Sequence, residues 1–209
     1  MSVVSAAAVI VVVVLFVLTG GLVSFNRFVR QRNTIEESWR QIDVELQRRH
    51  DLVPNLVEIV RASAAFEQAT LRQVMDARTA AMTARQDPAS GHRRQSIAEG
   101  ELSGALRGFF GLAENYPNLR SSANFLHLQR QFADTEDRLA AGRRFYNGNV
   151  RAYNTRRRTI PSNVVAGTCR FRAAEYFELD DPSVRSAPRL AGAFESLTRQ
   201  ELPTSHDEA

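Results

Sequence analysis

Lysine is absent from this chain, and all 27 of its basic residues are arginine. A lysine Schiff base and a Walker-type phosphate loop are therefore excluded, because both need the lysine amine. Cysteine is nearly absent: Cys169 stands alone, so it forms no intrachain disulfide and has no partner for a CxxC redox centre. We interpret Cys169 as a small apolar core residue. The exclusive use of arginine indicates a compositional bias, so a single arginine is weak evidence for bidentate recognition.

No charged side chain precedes Arg27, and residues 3–23 are rich in valine, alanine, leucine and isoleucine. A membrane-spanning helix needs about 20 mainly apolar residues, which this stretch supplies. We therefore predict a transmembrane anchor over residues 1–24. A cleaved signal peptide is the alternative, but it needs a basic N-terminal region and an apolar core of only about 7–15 residues. The chain has neither feature, although Thr19-Gly20-Gly21 offers small residues for cleavage.

Basic residues follow the apolar run at Arg27, Arg30 and Arg32, whereas no basic side chain precedes it. The positive-inside rule then predicts that the body lies on the cytoplasmic side of the membrane. The same three guanidinium groups suit anionic lipid headgroups, at about 1 kcal/mol for each arginine near the surface. The net charge is +4, and the remaining basic residues are spread among acidic ones. Because a nucleic-acid interface needs a basic patch, we expect no nucleic-acid partner.

Beyond the anchor, apolar residues recur at steps of three and four, which is the period of an amphipathic helix. The first stripe runs from Ile35 to Met75, and Pro54 is expected to kink or break its helix, with His50-Asp51 as a new N-cap. Thr34-Ile35-Glu36-Glu37 resembles a capping box, which either starts a helix distinct from the anchor or lies within a continuous one.

Proline and glycine residues divide the rest of the chain into predicted helices and loops. A loop is predicted over residues 87–91, and Ser96-Ile97-Ala98-Glu99 resembles a capping box that starts the next helix. That helix contains glycines that either weaken it or let a neighbour approach closely: Gly100, Gly104, Gly108 and Gly111. The longest seam covers residues 125–153, a shorter helix is predicted over 164–177, and residues 179–209 form a loosely ordered tail.

No segment shows the two-residue alternation of a strand. The sequence therefore predicts an all-α fold in which residues 25–178 form an antiparallel, up-and-down four-helix bundle. An N-terminal transmembrane helix precedes this bundle.

The strongest candidate for chemistry is His50-Asp51, because a histidine beside a carboxylate serves as a base or a metal ligand. However, the Glu-x-x-His repeat of di-iron bundles, the HExxH motif and the GxSxG elbow are all absent. We therefore expect no metal, no cofactor and no catalytic residue, and we interpret Arg49, His50 and Asp51 as a polar break around Pro54. Several carboxylates are interpreted as ion-pair partners of nearby arginines: Glu36, Glu37, Asp43, Glu136 and Asp137.

Two polar pairs, Tyr146-Asn147 and Tyr153-Asn154, recur one heptad apart, so both face the same way on their helix. Such residues either lock the register of a helical seam, which we favour, or line a groove for a partner segment. Arg156-Arg157-Arg158 lies in the last turn of the same helix, where cations complement the helix dipole or contact anionic lipid.

The segment from Arg48 to Glu58, Arg-Arg-His-Asp-Leu-Val-Pro-Asn-Leu-Val-Glu, resembles the signature of the LemA family. The resemblance covers residues 25–178 and implies a bacterial membrane protein with one N-terminal span and a four-helix bundle. It implies no established enzymatic activity and no agreed ligand. Gly142 and Ile160 depart from the more frequent alanine and phenylalanine. The motif residues, which are also our candidates for an interaction site, are Arg32, Asn33, Glu37, Trp39, Asp43, Arg48, Arg49, His50, Asp51, Pro54, Asn55, Tyr146, Asn147, Tyr153 and Asn154.

These observations favour a membrane-anchored, non-enzymatic interaction module in the bacterial cytoplasmic (inner) membrane. Its expected partners are the bilayer and another membrane or envelope protein. Two alternatives from other classes stay open. One is a metal-assisted hydrolase that uses His50 and Asp51, and the other is a module that binds lipid or peptide in a groove between helices.

Overall fold

The computed structural model describes residues 2–61, 67–87 and 91–178. These residues form six helices and, over those ranges, no strand, which confirms the all-α prediction. The predicted tail, residues 179–209, lies outside the described residues. The helices are α1 (Ser2–Arg61), α2 (Gln68–Gln86), α3 (Gly91–Ala113), α4 (Pro117–Arg120), α5 (Ala123–Arg158) and α6 (Ser162–Thr168).

Helix α1 is continuous for 60 residues, or about 90 Å at a rise of 1.5 Å per residue. The predicted break at Pro54 is wrong, because the helix continues through it to Arg61. Proline has no N–H to donate to the carbonyl four residues earlier, at His50. That carbonyl instead accepts a 2.7 Å hydrogen bond from Nε of Arg78 in α2. The group that Pro54 leaves unpaired is thus satisfied by another helix, and no N-cap forms at Asp51.

The apolar run forms the first half of α1, and none of its most apolar window is buried. By length and composition this helix is able to cross a membrane. Among the described residues, contacts with the rest of the protein are present from Phe25, whose ring centroid lies 5.6 Å from that of Phe171, and Phe28 is fully buried. Thr34 of the first capping box lies within the continuous helix, where its hydroxyl donates to the Arg30 carbonyl at 3.0 Å. The body therefore begins where the apolar run ends, without a linker.

Contacts between residues distant in sequence fix the direction of each helix. Relative to α1, helices α2 and α5 run antiparallel and α3 runs parallel, so the four long helices alternate in direction as predicted. The contacts, each with the α1 residue first, are Asp43–Arg85 and His50–Arg78 for α2, Trp39–His92 and Arg49–Glu99 for α3, and Glu45–Arg138 and Phe28–Tyr153 for α5.

The core consists of two apolar clusters along the bundle. The cluster near the apolar run joins α1, α5, α6 and the chain after α6: Phe28, Ile35, Ile42, Leu46, Leu139, Tyr146, Val150, Tyr153, Ala166 and Phe177. The far cluster joins helices α1 to α5. Its members include Leu52, Leu56, Val60, Leu71, Leu102, Phe109, Leu119, Phe125 and Phe132. The predicted seam of α5 is buried because its apolar residues contribute to both clusters.

The helix predicted over residues 164–177 is confirmed for residues 164–168 and wrong for the rest. Helix α6 ends at Thr168, and residues 171–178, here called the strap, are not helical. The second capping box is also wrong, because α3 begins at Gly91 and the Ser96 hydroxyl donates to the carbonyl oxygen of Glu178 in the strap. Cys169 is exposed after the last residue of α6, so its interpretation as a core residue is wrong too.

Replacing Gly108 with alanine is expected to raise the free energy of unfolding by about 0.5–1 kcal/mol. A Cβ at Gly108, and likewise at Gly104 or Gly111, meets no atom within 4 Å, so close approach of a neighbour does not explain these glycines. A Cβ at Gly142 meets Cγ1 of Ile42 at 3.2 Å, so alanine should gain less there. Denaturant titration of the full chain in detergent, followed by circular dichroism, compares the two variants. Equal gains would contradict this account.

Candidate functional site

The motif segment of α1 places two of its polar residues inside the bundle. Arg49 and His50 are both fully buried, on the face that also carries Leu46, Val53 and Leu56. Asp51 is exposed on another face, because successive residues of a helix point about 100° apart. The structure therefore separates His50 from Asp51, which the sequence alone suggests as a pair.

Arg49 is the centre of a charged network between α1, α3 and α5. Its Nη2 donates to the buried carboxylate of Glu99 on α3, and its Nη1 donates to Oε1 of Glu136 on α5 at 2.6 Å. The hydroxyl of Ser103 accepts from the same Nη1 at 2.7 Å and donates to the Glu99 carbonyl at 3.0 Å. The Glu99 side chain is 0% exposed and that of Glu136 is 40% exposed. One arginine thus fixes the position of three helices.

His50 completes the network through Glu99. Its Nε2 lies 2.9 Å from Oε1 of Glu99. Burial alone would raise the pKa of Glu99, but the hydrogen bond from His50 and the charge of Arg49 outweigh it and lower that pKa. Burial alone would lower the pKa of Arg49. The charges of the Glu99 and Glu136 carboxylates outweigh this effect of burial, so the pKa of Arg49 is raised. Because an ionised carboxylate only accepts hydrogen bonds, Nε2 of His50 carries the proton that it donates.

A groove of about 330 Å³ between α3 and α5 leads from the surface to this network. Its walls include Leu106, Phe110 and Phe132, and Ser103 and Glu136 also line it. Both polar residues contact Arg49, so the network meets solvent on this side. Within the described ranges, no three histidine, cysteine, aspartate or glutamate residues are placed to hold a metal ion.

A second polar chain on the motif segment links α1 to α2. Arg85 forms a bidentate ion pair with Asp43, with Nε–Oδ1 at 2.6 Å and Nη2–Oδ2 at 2.9 Å. Arg85 also donates to the Gln47 side chain, and Gln47 donates to Asp51 at 2.7 Å. The hydrogen bond with Asp43 outweighs burial and raises the pKa of Arg85. Asp43 and Asp51 therefore serve contacts within the protein.

The two tyrosine–asparagine pairs of α5 bind the strap. The Asn147 side chain pairs with the backbone of Phe177, donating to its carbonyl and accepting from its N–H, both at 3.0 Å. Asn154 pairs in the same way with Ala174, at 2.9 and 3.0 Å. The tyrosine hydroxyls donate at 2.9 Å, from Tyr146 to the Glu175 carbonyl and from Tyr153 to the Arg172 carbonyl. The two pairs, one heptad apart on α5, thus bind a segment of the same chain, the strap.

Trp39 joins the strap to the bundle. Its ring centroid lies 3.9 Å from that of His92 on α3, 5.0 Å from that of Phe177 in the strap and 5.5 Å from that of Tyr146 on α5. Burial raises the pKa of Tyr146 to about 12, and the charge of Glu175 adds to that shift. Burial lowers the pKa of His92, against the opposing charge of Glu175.

The other candidate residues lie at the surface or at its margin. Arg32 pairs with Glu36 at 3.4 Å, and Glu37 pairs with Arg40 at 3.3 Å, in exposed contacts within one helix. Arg48 is half-buried, and the exposed candidates are Asn33, Pro54, Asn55, Arg27 and Arg30.

Sequence reasoning misses two residues of the network and identifies a third in part. It places Glu99 in a capping box and assigns no role to Ser103, whereas it predicts Glu136 as an ion-pair partner of an arginine without naming Arg49. A glutamate on the apolar stripe of α3 was the available signal, because Glu99 is spaced by three from Leu102 and by seven from Leu106. Glu136 and Ser103 border the stripes, and no sequence signal assigns them to Arg49.

An apolar helix that continues into a bundle with a charged core defines a class of membrane-associated helical-bundle proteins. The chain belongs to the LemA family, whose model matches residues 38–191. This result confirms the resemblance inferred from the Arg48–Glu58 segment.

Similar proteins carry two names. Magnetosome proteins MamQ 1 and MamQ 2 of Paramagnetospirillum magneticum are each 28% identical over 178 residues, 75% of this chain. This match covers 65% of the length of each MamQ protein. Magnetosome protein MamQ of Magnetospirillum gryphiswaldense is 24% identical over 91% of this chain and 76% of its own length. Protein LemA of Metamycoplasma hominis is 26% identical over 74% of this chain and 71% of its own length.

Lowering the pH from about 7 to 5.5 is expected to reduce the free energy of unfolding. The folded pKa of His92 lies below its ordinary 6.5, so the unfolded chain takes up a proton that the folded chain resists. The stabilisation is present above pH 6.5 and is lost as the pH falls toward the folded pKa. Fluorescence of Trp39 in denaturant titrations at several pH values measures this slope. His92→Gln should flatten it and His127→Gln should not. An unchanged slope in His92→Gln would assign the effect to another group.

Proposed function

We propose that this protein is a membrane-anchored helical rod that presents a rigid bundle to another membrane or envelope protein and performs no catalysis itself. The observation that carries the proposal is the continuity of α1, which includes both the apolar run and the bundle core up to Arg61. A body on a flexible linker would sample many distances from the bilayer. An unbroken helix with contacts from Phe25 onward holds the body at one distance.

The placement of the motif residues supports this proposal. Arg49 fixes α1 against α3 and α5, Arg85 fixes it against α2, and Asn147 and Asn154 hold the strap. These contacts make one rigid body from segments that are far apart in sequence. Three relatives are named magnetosome proteins, which supports a role as a component of a larger assembly.

Photo-crosslinking in cells tests the partner. Benzoylphenylalanine at Phe145 of α5, whose side chain is 56% exposed, reports on contacts of the body. The same probe at Phe16, 82% exposed in the apolar run, reports on contacts of the span. We expect one reproducible protein adduct from Phe145 in the membrane fraction. If the probe at Phe145 gives no protein adduct while the probe at Phe16 does, the proposal that the body binds a protein partner is refuted.

We further propose that the body lies on the cytoplasmic side of the bacterial inner membrane, because Arg27, Arg30 and Arg32 follow the span. Cys169 provides the test without a new probe, since it is the one cysteine of the chain and is exposed. A membrane-impermeant maleimide should label it only after lysis of spheroplasts. Cys169→Ser is the control for specificity, and labelling of intact spheroplasts would reverse the orientation.

A further inference from the structure

The end of α6 has a backbone conformation that normally requires glycine. Arg170 has φ +54°, in the left-handed region. The Phe171 N–H donates to the Ala166 carbonyl at 2.9 Å and the Arg170 N–H donates to the Gly167 carbonyl at 3.2 Å, which is the Schellman pattern. Glycine is the usual residue at this position, because a side chain there is sterically unfavourable. An arginine in this conformation points to a use for its side chain.

A cleft of about 500 Å³ lies beside this turn, and the Arg170 side chain lines it. Arg32 of α1 and Arg172 of the strap line the same cleft, together with the carboxylates of Glu36 and Glu175. Arg32 pairs with Glu36, whereas Arg170 and Arg172 form no ion pair among the described residues. The cleft therefore has a net positive charge and, within the described part of the chain, two guanidinium groups outside any ion pair, which suit the oxygen atoms of a phosphate.

The strap places this cleft close to the end of the apolar run. The Phe171 ring lies 4.9 Å from that of Phe28 and 5.6 Å from that of Phe25. Phe28 lies about 7.5 Å along α1 beyond Val23, the last residue of the run. The headgroup layer on each side of a bilayer is about 5–7.5 Å thick. With α1 anchored as proposed, Phe25 lies within this layer and Phe28 lies at its outer edge. Arg170 and Arg172, on either side of Phe171, are then within reach of the lipid headgroups.

Other residues at this end of the bundle agree with contact to lipid. Ile160, just before α6, and Val164, in its first turn, are 79% and 67% exposed and form neighbouring apolar side chains at the surface. Burial and the nearby charge of Arg27 both lower the pKa of Arg156, so like charges are crowded at this end. Apolar side chains beside arginines are typical of surfaces that lie on anionic lipid.

We propose that the cleft at the base of the body binds the phosphate of an anionic lipid headgroup through Arg170, with Arg32 and Arg172 as its further ligands. The inference depends on the proposed anchoring of α1 in the bilayer. It adds a defined site to general attraction between basic residues and lipid, because Arg170 is held in a strained turn and lines the cleft.

Arg170→Gly provides a selective test. Glycine fits the left-handed turn better than arginine, so the melting temperature should be equal or higher while the guanidinium group is lost. Full-length protein in detergent is titrated with phosphatidylglycerol and with phosphatidylcholine, and native mass spectrometry measures the bound lipid. We expect wild type to prefer phosphatidylglycerol, and Arg170→Gly to bind it roughly fivefold more weakly. Arg120→Gln, which removes one exposed charge at the far end of the bundle, should bind like wild type.

Two results would overturn the site. One is equal phosphatidylglycerol binding by Arg170→Gly and Arg120→Gln. The other is displacement of phosphatidylglycerol by millimolar inorganic phosphate, which would make a soluble anion the ligand. Flotation of the wild type and both variants with phosphatidylcholine vesicles tests the anchor separately, so failure of anchoring is distinguishable from failure of the site.

Discussion

Replacing Arg49 with methionine is expected to lower the free energy of unfolding by about 3–5 kcal/mol. The side chains of Arg49 and Glu99 are both 0% exposed, so the variant leaves the Glu99 carboxylate buried with His50 as its one remaining partner among the described residues. Removing one member of a buried ion pair costs more than removing both, because the remaining charge is uncompensated. Denaturant titration of the full chain in detergent, followed by the fluorescence of Trp39, measures the loss.

A matched pair of variants isolates the buried charge. Arg40→Met breaks an exposed ion pair, in which the Arg40 side chain is 71% and the Glu37 side chain 63% exposed. It should change the free energy of unfolding by less than about 0.5 kcal/mol. The double variant Arg49→Met/Glu99→Leu should recover part of the loss, since no unpaired carboxylate remains on α3. If Arg49→Met is no less stable than Arg40→Met, the network does not hold the bundle together.

Periodicity predicted the parts of the fold that depend on apolar burial. The α5 seam is the clearest case, because its side chains recur at steps of three and four and the structure buries them. Gly142, the one small residue in that seam, faces Ile42 of α1. Such a pattern is informative because burial of one helix face depends only on which residues share that face. The buried members are Phe125, Leu128, Phe132, Thr135, Leu139, Tyr146, Val150 and Tyr153.

The errors arose where a distant residue decides the local structure. Pro54 reads as a helix breaker, yet Arg78, 24 residues later, pairs with the carbonyl that proline leaves free. Residues 164–177 read as a helix, yet Asn147 and Asn154 bind their second half in another conformation. Local propensity contains no information on such partners, so tertiary contacts override it.

The candidate site was predicted in part for the same reason. The sequence indicates His50 as a candidate for chemistry, but it suggests the neighbouring Asp51 as its partner. On a helix, adjacent residues point in different directions, so the partner of a buried residue comes from another helix. That partner is Glu99, 49 positions away. The sequence names residue types able to form a charged network, and the packing of α1 against α3 decides which of them meet.

Releasing the strap is expected to have the second large effect. The double variant Asn147→Ala/Asn154→Ala removes four side-chain-to-backbone hydrogen bonds, two to Phe177 and two to Ala174. At about 0.5–1 kcal/mol for each bond, the strap should lose about 2–4 kcal/mol. The fraction of molecules with an open strap should then rise by a factor of about 30 or more. The bundle itself should unfold at nearly the same denaturant concentration if the strap opens locally.

Trypsin measures this opening, because it cleaves after arginine and Arg172 lies in the strap, where the Tyr153 hydroxyl binds its carbonyl. The initial rate of cleavage after Arg172, from mass spectrometry of the fragments, should follow the open fraction when opening is fast relative to cleavage. Asn149→Ala is the matched control on the same helix, because its side chain makes one long contact of 3.5 Å with Ser38 and none with the strap. We expect that control to be cleaved at the wild-type rate. Equal rates for the control and the double variant would mean that Phe177 and its apolar contacts, rather than the asparagine pairs, hold the strap on the bundle.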